Sequence, residues 1–294
     1  MSSRIVITGA GGLVGRVLAG QARQQGRDVL ALTSAECDIT DPSASERFIS
    51  SDDVVVNCAA YTKVDAAEAD PDRAAAVNTV GAEYVAHACA RAGASLIHLS
   101  TDYVFSGAFH DGEPRPYDID DDVGPLSVYG RTKLAGEFAV LSAMPTAYIV
   151  RTAWIYEGRD DGSDFAAGIR RAAAGTDTVD VVADQIGSPT YVVDLAEALL
   201  QIAGGEISEA VLHAANGGAC SRYEQAQAIF EEVGADPARV KPVGSDRHPR
   251  PAPRPPYSAL SEVKSAAAGL TPLRPWRDAV AAAMEAAGPL PSTP

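Results

Sequence analysis

The sequence predicts an α/β fold, a doubly wound parallel sheet with a smaller C-terminal lobe. Apolar runs of four or five residues alternate with stretches of helical periodicity through the first half of the chain. Those runs are continuous instead of alternating with polar residues, the pattern of strands covered on both faces. The first run also leads through a glycine-rich turn directly into a helix, the unit that opens such a sheet.

Ile5-Val-Ile-Thr8 is the first strand, and Leu13, Val14, Val17, Leu18 and Ala22 follow at helical spacing. Gly26 stops that helix, because glycine tolerates the left-handed conformation of a helix end. Asp28–Leu32 is the second strand, and Asp41 or Ser43 caps a short helix through Phe48. Val54–Cys58 is the third strand, followed by an Ala-rich helix from about Asp72 to Ala92. Ser95–Leu99 and Tyr148–Val150 are further strands, separated by a helix that begins near Val128. Beyond Trp154, a helix near Phe165–Ala174, a strand at Val179–Val182 and a helix at Asp194–Ala203 still fit the sheet. After Gly204 come short elements, a helix at Tyr223–Val233 and the proline-rich run Arg247–Tyr257, whose prolines keep it an extended loop. Residues 1–155 are thus expected to form a Rossmann nucleotide-binding domain to which 179–203 return, with 156–178 and 204–294 forming a substrate-binding lobe.

Composition narrows the function. The chain of 294 residues has 24 basic and 39 acidic side chains, a net charge of −15, which argues against non-specific nucleic-acid or acidic-membrane binding. No apolar run reaches about 18 residues, so no membrane span is expected. The N-terminus shows no basic n-region or cleavage site, and Cys37, Cys58, Cys89 and Cys220 stand far apart. A cytoplasmic protein with reduced thiols is expected. Charge is uneven: between Arg239 and Arg277 eight basic residues face two acidic ones, leaving −21 for the remainder. That segment is either a solvated basic loop or a site for an anionic small molecule, whereas the acidic loop Asp111–Asp122 reads as solvated.

Thr8-Gly-Ala-Gly-Gly-Leu-Val-Gly15 carries glycines at 9, 12 and 15, where a tight turn lets a dinucleotide pyrophosphate approach a helix N-terminus. The tip of the second strand is Thr33-Ser34, with no carboxylate for a ribose 2′-hydroxyl, and Arg16 stands ready for a 2′-phosphate. NADPH is therefore the expected cofactor, with NADH accepted. Asp38 is either an adenine contact or a turn residue. Tyr129-Gly-Arg-Thr-Lys133 puts a phenol and an ammonium on one helix face, and a neighbouring cation moves a phenol pKa down toward the working range. Thr101 ends a strand at the edge where such sheets bind ligands, so its hydroxyl can orient a carbonyl.

In this order the glycine turn, Thr101 and Tyr129-x-x-x-Lys133 resemble the extended short-chain dehydrogenase/reductase family. Asn57–Asp65, Ser100–Phe105, Pro125–Glu137, Arg151–Tyr156, Asp184–Thr190 and Arg254–Leu260 are similar to its dTDP-4-dehydrorhamnose reductase branch, a likeness covering nearly the whole chain. The resemblance implies hydride transfer from NADPH to C4 of a 4-keto sugar. Tyr129 would give the proton, Lys133 would tune Tyr129 and hold the nicotinamide ribose, and Thr101 would position the carbonyl. The cofactor-facing positions would be Gly9, Gly12, Leu13, Val14, Gly15, Arg16, Thr33, Asp38, Ile39, Ala60, Tyr61, Thr62 and Leu99 with Tyr129 and Lys133. The substrate-facing ones would be Thr101, Asp102, Tyr103, Trp154 and Arg254, with Trp154 as a sugar platform, while Asn78 would brace the catalytic strand.

Two departures carry weight. Asp102 is followed by Tyr103 where related dehydratases carry a carboxylate pair, which disfavours dehydration. Arg16-Val17 and Tyr191–Val193 lack the glutamates that hold a metal in some relatives, so no metal is expected. The implied partner is a nucleotide sugar, with the chain a monomer or weak homodimer. Two other readings stay open: an NADP-binding regulatory subunit of a methionine adenosyltransferase, and a reductase of a different 4-keto nucleotide sugar.

Overall fold

The computed structural model describes residues 3–109, 112–205 and 207–290; Asp111, at the start of the acidic loop, lies outside the described residues, as do Met1 and Ser2. A six-stranded sheet runs, from one edge to the other, Val211–His213, Tyr148–Thr152, Ser95–Thr101, Val54–Asn57, Ile5–Thr8 and Val29–Leu32. Every neighbouring pair in it is parallel.

The pleat divides each continuous apolar run between two cores. Ile5, Ile7, Val56, Ile97, Leu99 and Val150 face the helices Leu13–Gln24 and Val192–Ala203 through Leu18, Leu195 and Leu199. Val6, Val55, Leu96 and Ile149 face the other way, onto Val85, Cys89 and Val140 of the helices Ala82–Ala92 and Val128–Ala143. Both faces are therefore dry, as the sequence pattern requires.

Strand order reverses beside the first strand. Its successor Val29–Leu32 pairs on one side and Val54–Asn57 on the other. A crevice opens at the carboxyl ends of strands at such a reversal, and the glycine turn sits there.

One expected strand goes elsewhere. Val179–Val182 pairs in parallel with Val240–Val243 in a separate two-stranded sheet, and Val211–His213 takes the edge position of the main sheet. The physical reason is visible in Asp180, which is exposed and could not be covered in a two-faced parallel sheet. With these strands, the helices Phe165–Ala173, Arg222–Glu232 and Trp276–Ala287 enclose a separate core around Tyr156, Ile169, Phe230, Val280 and Met284.

The Ala-rich helix is continuous from Pro71 to Ala92 but widens to π geometry over Ala76–Gly81. That stretch turns Asn78 inward. Its Oδ1 accepts from the Tyr61 amide, while its Nδ2 donates to the Tyr61 carbonyl and to the Thr132 hydroxyl. Asn78 thus braces the Tyr61 loop against the helix Val128–Ala143.

Candidate active site

A cleft of about 1090 Å³ runs along the carboxyl ends of the strands. Its walls include Gly9, Gly12, Leu13, Val14, Gly15, Thr33, Asp38, Ile39, Ala60, Tyr61 and Thr62 toward one end. Thr101, Asp102, Tyr103, Tyr129 and Trp154 stand toward the other. Four positions singled out in the sequence, Arg16, Leu99, Lys133 and Arg254, do not line it.

The glycine turn explains the first half of the cleft. Gly9 adopts φ +70°, and a Cβ there would lie 2.6 Å from the Ala59 amide nitrogen. A Cβ on Gly15 would lie 2.6 Å from the Gly9 carbonyl oxygen. Only glycine permits this closeness of turn and helix. The helix that follows is capped by Gly12, has no side-chain cap and has no acidic residue in its first turn. Its first amides and the positive end of its dipole are therefore available to an anion, which fits the pyrophosphate of a dinucleotide.

The second-strand tip differs from expectation. The chain folds back so that Glu36 accepts from the Thr33 amide at 2.8 Å and the Thr33 hydroxyl at 2.7 Å. A carboxylate therefore does reach the tip, from three residues farther on. Arg16 is drawn away by Glu157, 2.6 Å from its guanidinium. The cation that lines this end of the cleft is Arg73, close enough to Asp38 to help hold that carboxyl below its usual range, after the Thr40 hydrogen bonds.

At the other end the Ser95–Thr101 strand delivers Thr101 and the helix Val128–Ala143 delivers Tyr129. Ser127 caps that helix by accepting from the Gly130 amide. Gly130 and Gly136 let it press on the neighbouring backbone, since a Cβ would fall 2.3 Å from the Tyr103 carbonyl and 2.2 Å from that of Asn78. Glu137 completes the clamp: it accepts from the Ser100 hydroxyl and pairs with the buried Arg151 at 2.8 Å. Three elements are locked in one register.

Burial pushes the Tyr129 phenol up, and the Thr101 hydroxyl is the hydrogen-bonding partner that opposes this. Lys133 plays a different part from the one expected. Its Nζ donates to the Leu99 carbonyl at 2.6 Å, and burial lowers its pKa to about 8. It lies 3.5 Å from His98 Nε2. Asn57 Oδ1 accepts from the Thr8 hydroxyl and the Ala59 amide, so Asn57 Nδ2 must donate to His98 Nδ1. The imidazole proton therefore sits on Nε2, toward Lys133. Burial first, and Lys133 second, hold His98 well below its ordinary pKa.

Asp102 is 2% exposed, and its two oxygens accept from the hydroxyls of Thr101 at 3.0 Å and Ser258 at 2.6 Å. Burial raises its pKa to about 6 despite those bonds. Tyr103 meets Tyr129 edge to face, with centroids 5.9 Å apart. Trp154 takes φ +46°, a strained value for a bulky residue, and its indole carries the Arg222 guanidinium 3.6 Å above the ring centroid.

The basic segment is largely neutralised. Asp65 pairs with Arg254 and Arg250, Asp194 with Arg274, Glu231 with Arg277, and Asp118 and Asp120 with Lys264. Arg239 donates to the carbonyls of Ala172, Ala173 and Asp177. Arg254 still reaches the site indirectly, through a hydrogen bond to the Tyr103 side chain. Arg73, Arg222 and Ser258 carry no sequence signature as site residues. The Ser221-Arg-Tyr-Glu224 capping box marks a helix start at Arg222, but nothing local says that this start faces the cleft.

The model of the RmlD substrate binding domain family matches residues 3–288. A dTDP-4-dehydrorhamnose reductase of Mycolicibacterium smegmatis is 63% identical over 300 residues, covering 100% of this chain and 90% of that protein. One of Mycobacterium tuberculosis is 60% identical over 285 residues, covering 97% and 93%. The crystal structure of a dTDP-4-dehydrorhamnose reductase from Bacillus anthracis in complex with NADP superposes with a TM-score of 0.87 at 34% identity, covering 95% of this chain and 98% of that one.

Proposed function

From the premise that the chain belongs to the RmlD substrate binding domain family, and is an NAD(P)H-dependent reductase, we propose that it reduces the C4 keto group of dTDP-4-dehydro-6-deoxy-L-mannose to give dTDP-L-rhamnose. One observation carries the reading. The Tyr129 phenol and the Thr101 hydroxyl meet in the same cleft as an uncapped helix N-terminus.

The first amides of the helix Leu13–Gln24 hold the dinucleotide pyrophosphate, and Thr33, Asp38 and Ile39 line the adenosine end. Arg73, the cation at that end, meets the 2′-phosphate and favours NADPH over NADH. The cofactor, when bound, supplies hydride to the carbonyl carbon. Thr101 orients the carbonyl, and Tyr129 holds a proton on its phenolic oxygen and delivers it to the carbonyl oxygen. A phenol is protonated at neutral pH, so Tyr129 holds the proton it gives; burial raises its pKa further, and the Thr101 hydrogen bond opposes that rise. Lys133, buried behind the cleft wall, fixes the Leu99 carbonyl of the strand that ends in Thr101. The lobe beyond residue 155 closes the substrate side, bringing Ser258 to Asp102 and Arg222 to Trp154.

The experiment is NADPH oxidation in the presence of dTDP-4-dehydro-6-deoxy-L-mannose made by active upstream enzymes. Stoichiometric formation of dTDP-L-rhamnose is expected. No turnover with a substrate that a known reductase consumes refutes the proposal.

A further inference from the structure

The sequence offers the basic segment as either a solvated loop or a site for an anionic small molecule, and the cations there are mostly spent on carboxylates and carbonyls. Arg222 is different. It lines the substrate end of the cleft beside Asp102, Tyr103 and Trp154. Among the described residues no carboxylate lies within ion-pairing distance of it, and its one side-chain hydrogen bond runs from Nη1 to Gln225 Oε1 at 3.2 Å. Its guanidinium is stacked on two rings, 3.6 Å from the Trp154 centroid and 4.8 Å from that of Phe165.

This arrangement is built, not incidental. Trp154 is held at φ +46°, and the indole packs so closely on Gly187 that a Cβ there would fall 2.5 Å from Cε2. The Ser221–Glu224 capping box fixes the start of the helix from which Arg222 projects. A guanidinium held over two aromatic rings is fixed in place by them and still carries N–H donors for a ligand. Arg222 is half-buried, and a partly desolvated cation without a carboxylate partner is favoured by a ligand that brings negative charge. Asp102, the nearest carboxyl, has its oxygens engaged by Ser258 and Thr101.

We propose that Arg222 anchors the diphosphate of the nucleotide sugar, presenting its in-plane N–H groups to the phosphate oxygens from the face of Trp154. The stacked guanidinium also covers one face of the indole, so Trp154 serves the substrate as the support of this cation and not through that face. The inference rests on the nucleotide-sugar reading above and deepens it.

The probe is dTDP itself, which has the nucleoside diphosphate and lacks the hexose, titrated calorimetrically into the full-length protein. Arg222→Met keeps a chain that can lie on Trp154 and removes the charged donors. It is expected to raise the Kd for dTDP about 10- to 100-fold, the range for losing charged hydrogen bonds, with the Kd for NADPH within about twofold. Arg222→Lys is expected to recover only part of the loss, because an ammonium cannot present a planar fork. Unchanged dTDP affinity in Arg222→Met overturns the proposal and leaves Arg222 as packing. Equal weakening of dTDP and NADPH overturns it too, as a structural effect. Tight dTDP binding by the unaltered protein without turnover of the keto sugar would instead fault the reductase reading and leave the anchor standing.

Discussion

The hydroxyl of Ser258 donates to Oδ2 of Asp102 across 2.6 Å, joining the loop after the proline-rich run to the residue that follows the strand Ser95–Thr101. Asp102 stays 2% exposed beneath that bond, with Thr101 on its other oxygen and the Tyr103 and Arg222 side chains nearby. Burial dominates, and its pKa rises to about 6.

A carboxyl whose folded pKa exceeds its unfolded value stabilises the fold only while protonated. Its contribution is present at low pH and is lost as pH rises toward 6. Asp102→Asn removes that loss. The variant is expected to gain thermal stability relative to the unaltered protein as pH rises from about 4 to 6.5, by up to about 3 kcal/mol, and to gain nothing more above about pH 7. Melting curves across that range check it. A difference that shrinks with rising pH contradicts the burial argument.

Tyr129→Phe is expected to lower kcat about 10²- to 10⁴-fold, the usual scale for a general acid, while NADPH binding stays within about threefold. Thr101→Val removes the hydroxyl that orients the carbonyl, and a smaller loss in kcat of about tenfold is expected. Steady-state rates with cofactor titrations test both. A Tyr129→Phe enzyme at a comparable rate excludes the phenol as proton donor.

Arg254 and Arg250 share the Asp65 carboxylate but not its burial. Arg254 is 17% exposed and donates to both Asp65 oxygens, whereas Arg250 is 63% exposed at 3.7 Å. Arg254→Met is expected to cost about 1–2 kcal/mol of stability, and Arg250→Met less than about 0.5 kcal/mol. Urea unfolding separates the two. Equal effects would mean that the bidentate pair contributes nothing special.

Arg73→Ala is expected to raise KM for NADPH about three- to tenfold and leave KM for NADH nearly unchanged, because only the former carries a 2′-phosphate. Arg16→Ala, whose side chain is held by Glu157, is expected to change neither. The reverse pattern would return the 2′-phosphate to Arg16. Raising salt should narrow the NADPH advantage, since Arg73 is exposed.

Much of this was legible in the chain. Ile5–Thr8, Val54–Asn57 and Ser95–Thr101 declare buried parallel strands by continuous apolar runs, and the glycines at 9, 12 and 15 declare where the turn approaches a ligand. Tyr129 and Thr101 declare themselves by spacing and by their place at element ends. Such signals are local: each depends on residues a few positions apart, so periodicity and motif are enough to read them.

What tertiary structure alone decided are the long-range partners of charged side chains. Glu157 takes Arg16, Asp65 takes Arg254, the Leu99 carbonyl takes Lys133, and Trp154 takes Arg222. A strand of three residues, Val211–His213, displaced Val179–Val182 from the sheet for the same kind of reason, since edge pairing is settled by what the rest of the fold covers. Side chains of Arg and Lys reach several ångströms in any direction, and sequence proximity does not say which carboxylate, carbonyl or ring lies at the end of that reach. The chain by itself determined a doubly wound sheet with a glycine turn and the candidate pair Tyr129 and Thr101. Packing determined which cations remain to meet a ligand, because a charge already paired in the folded state has little left to offer one.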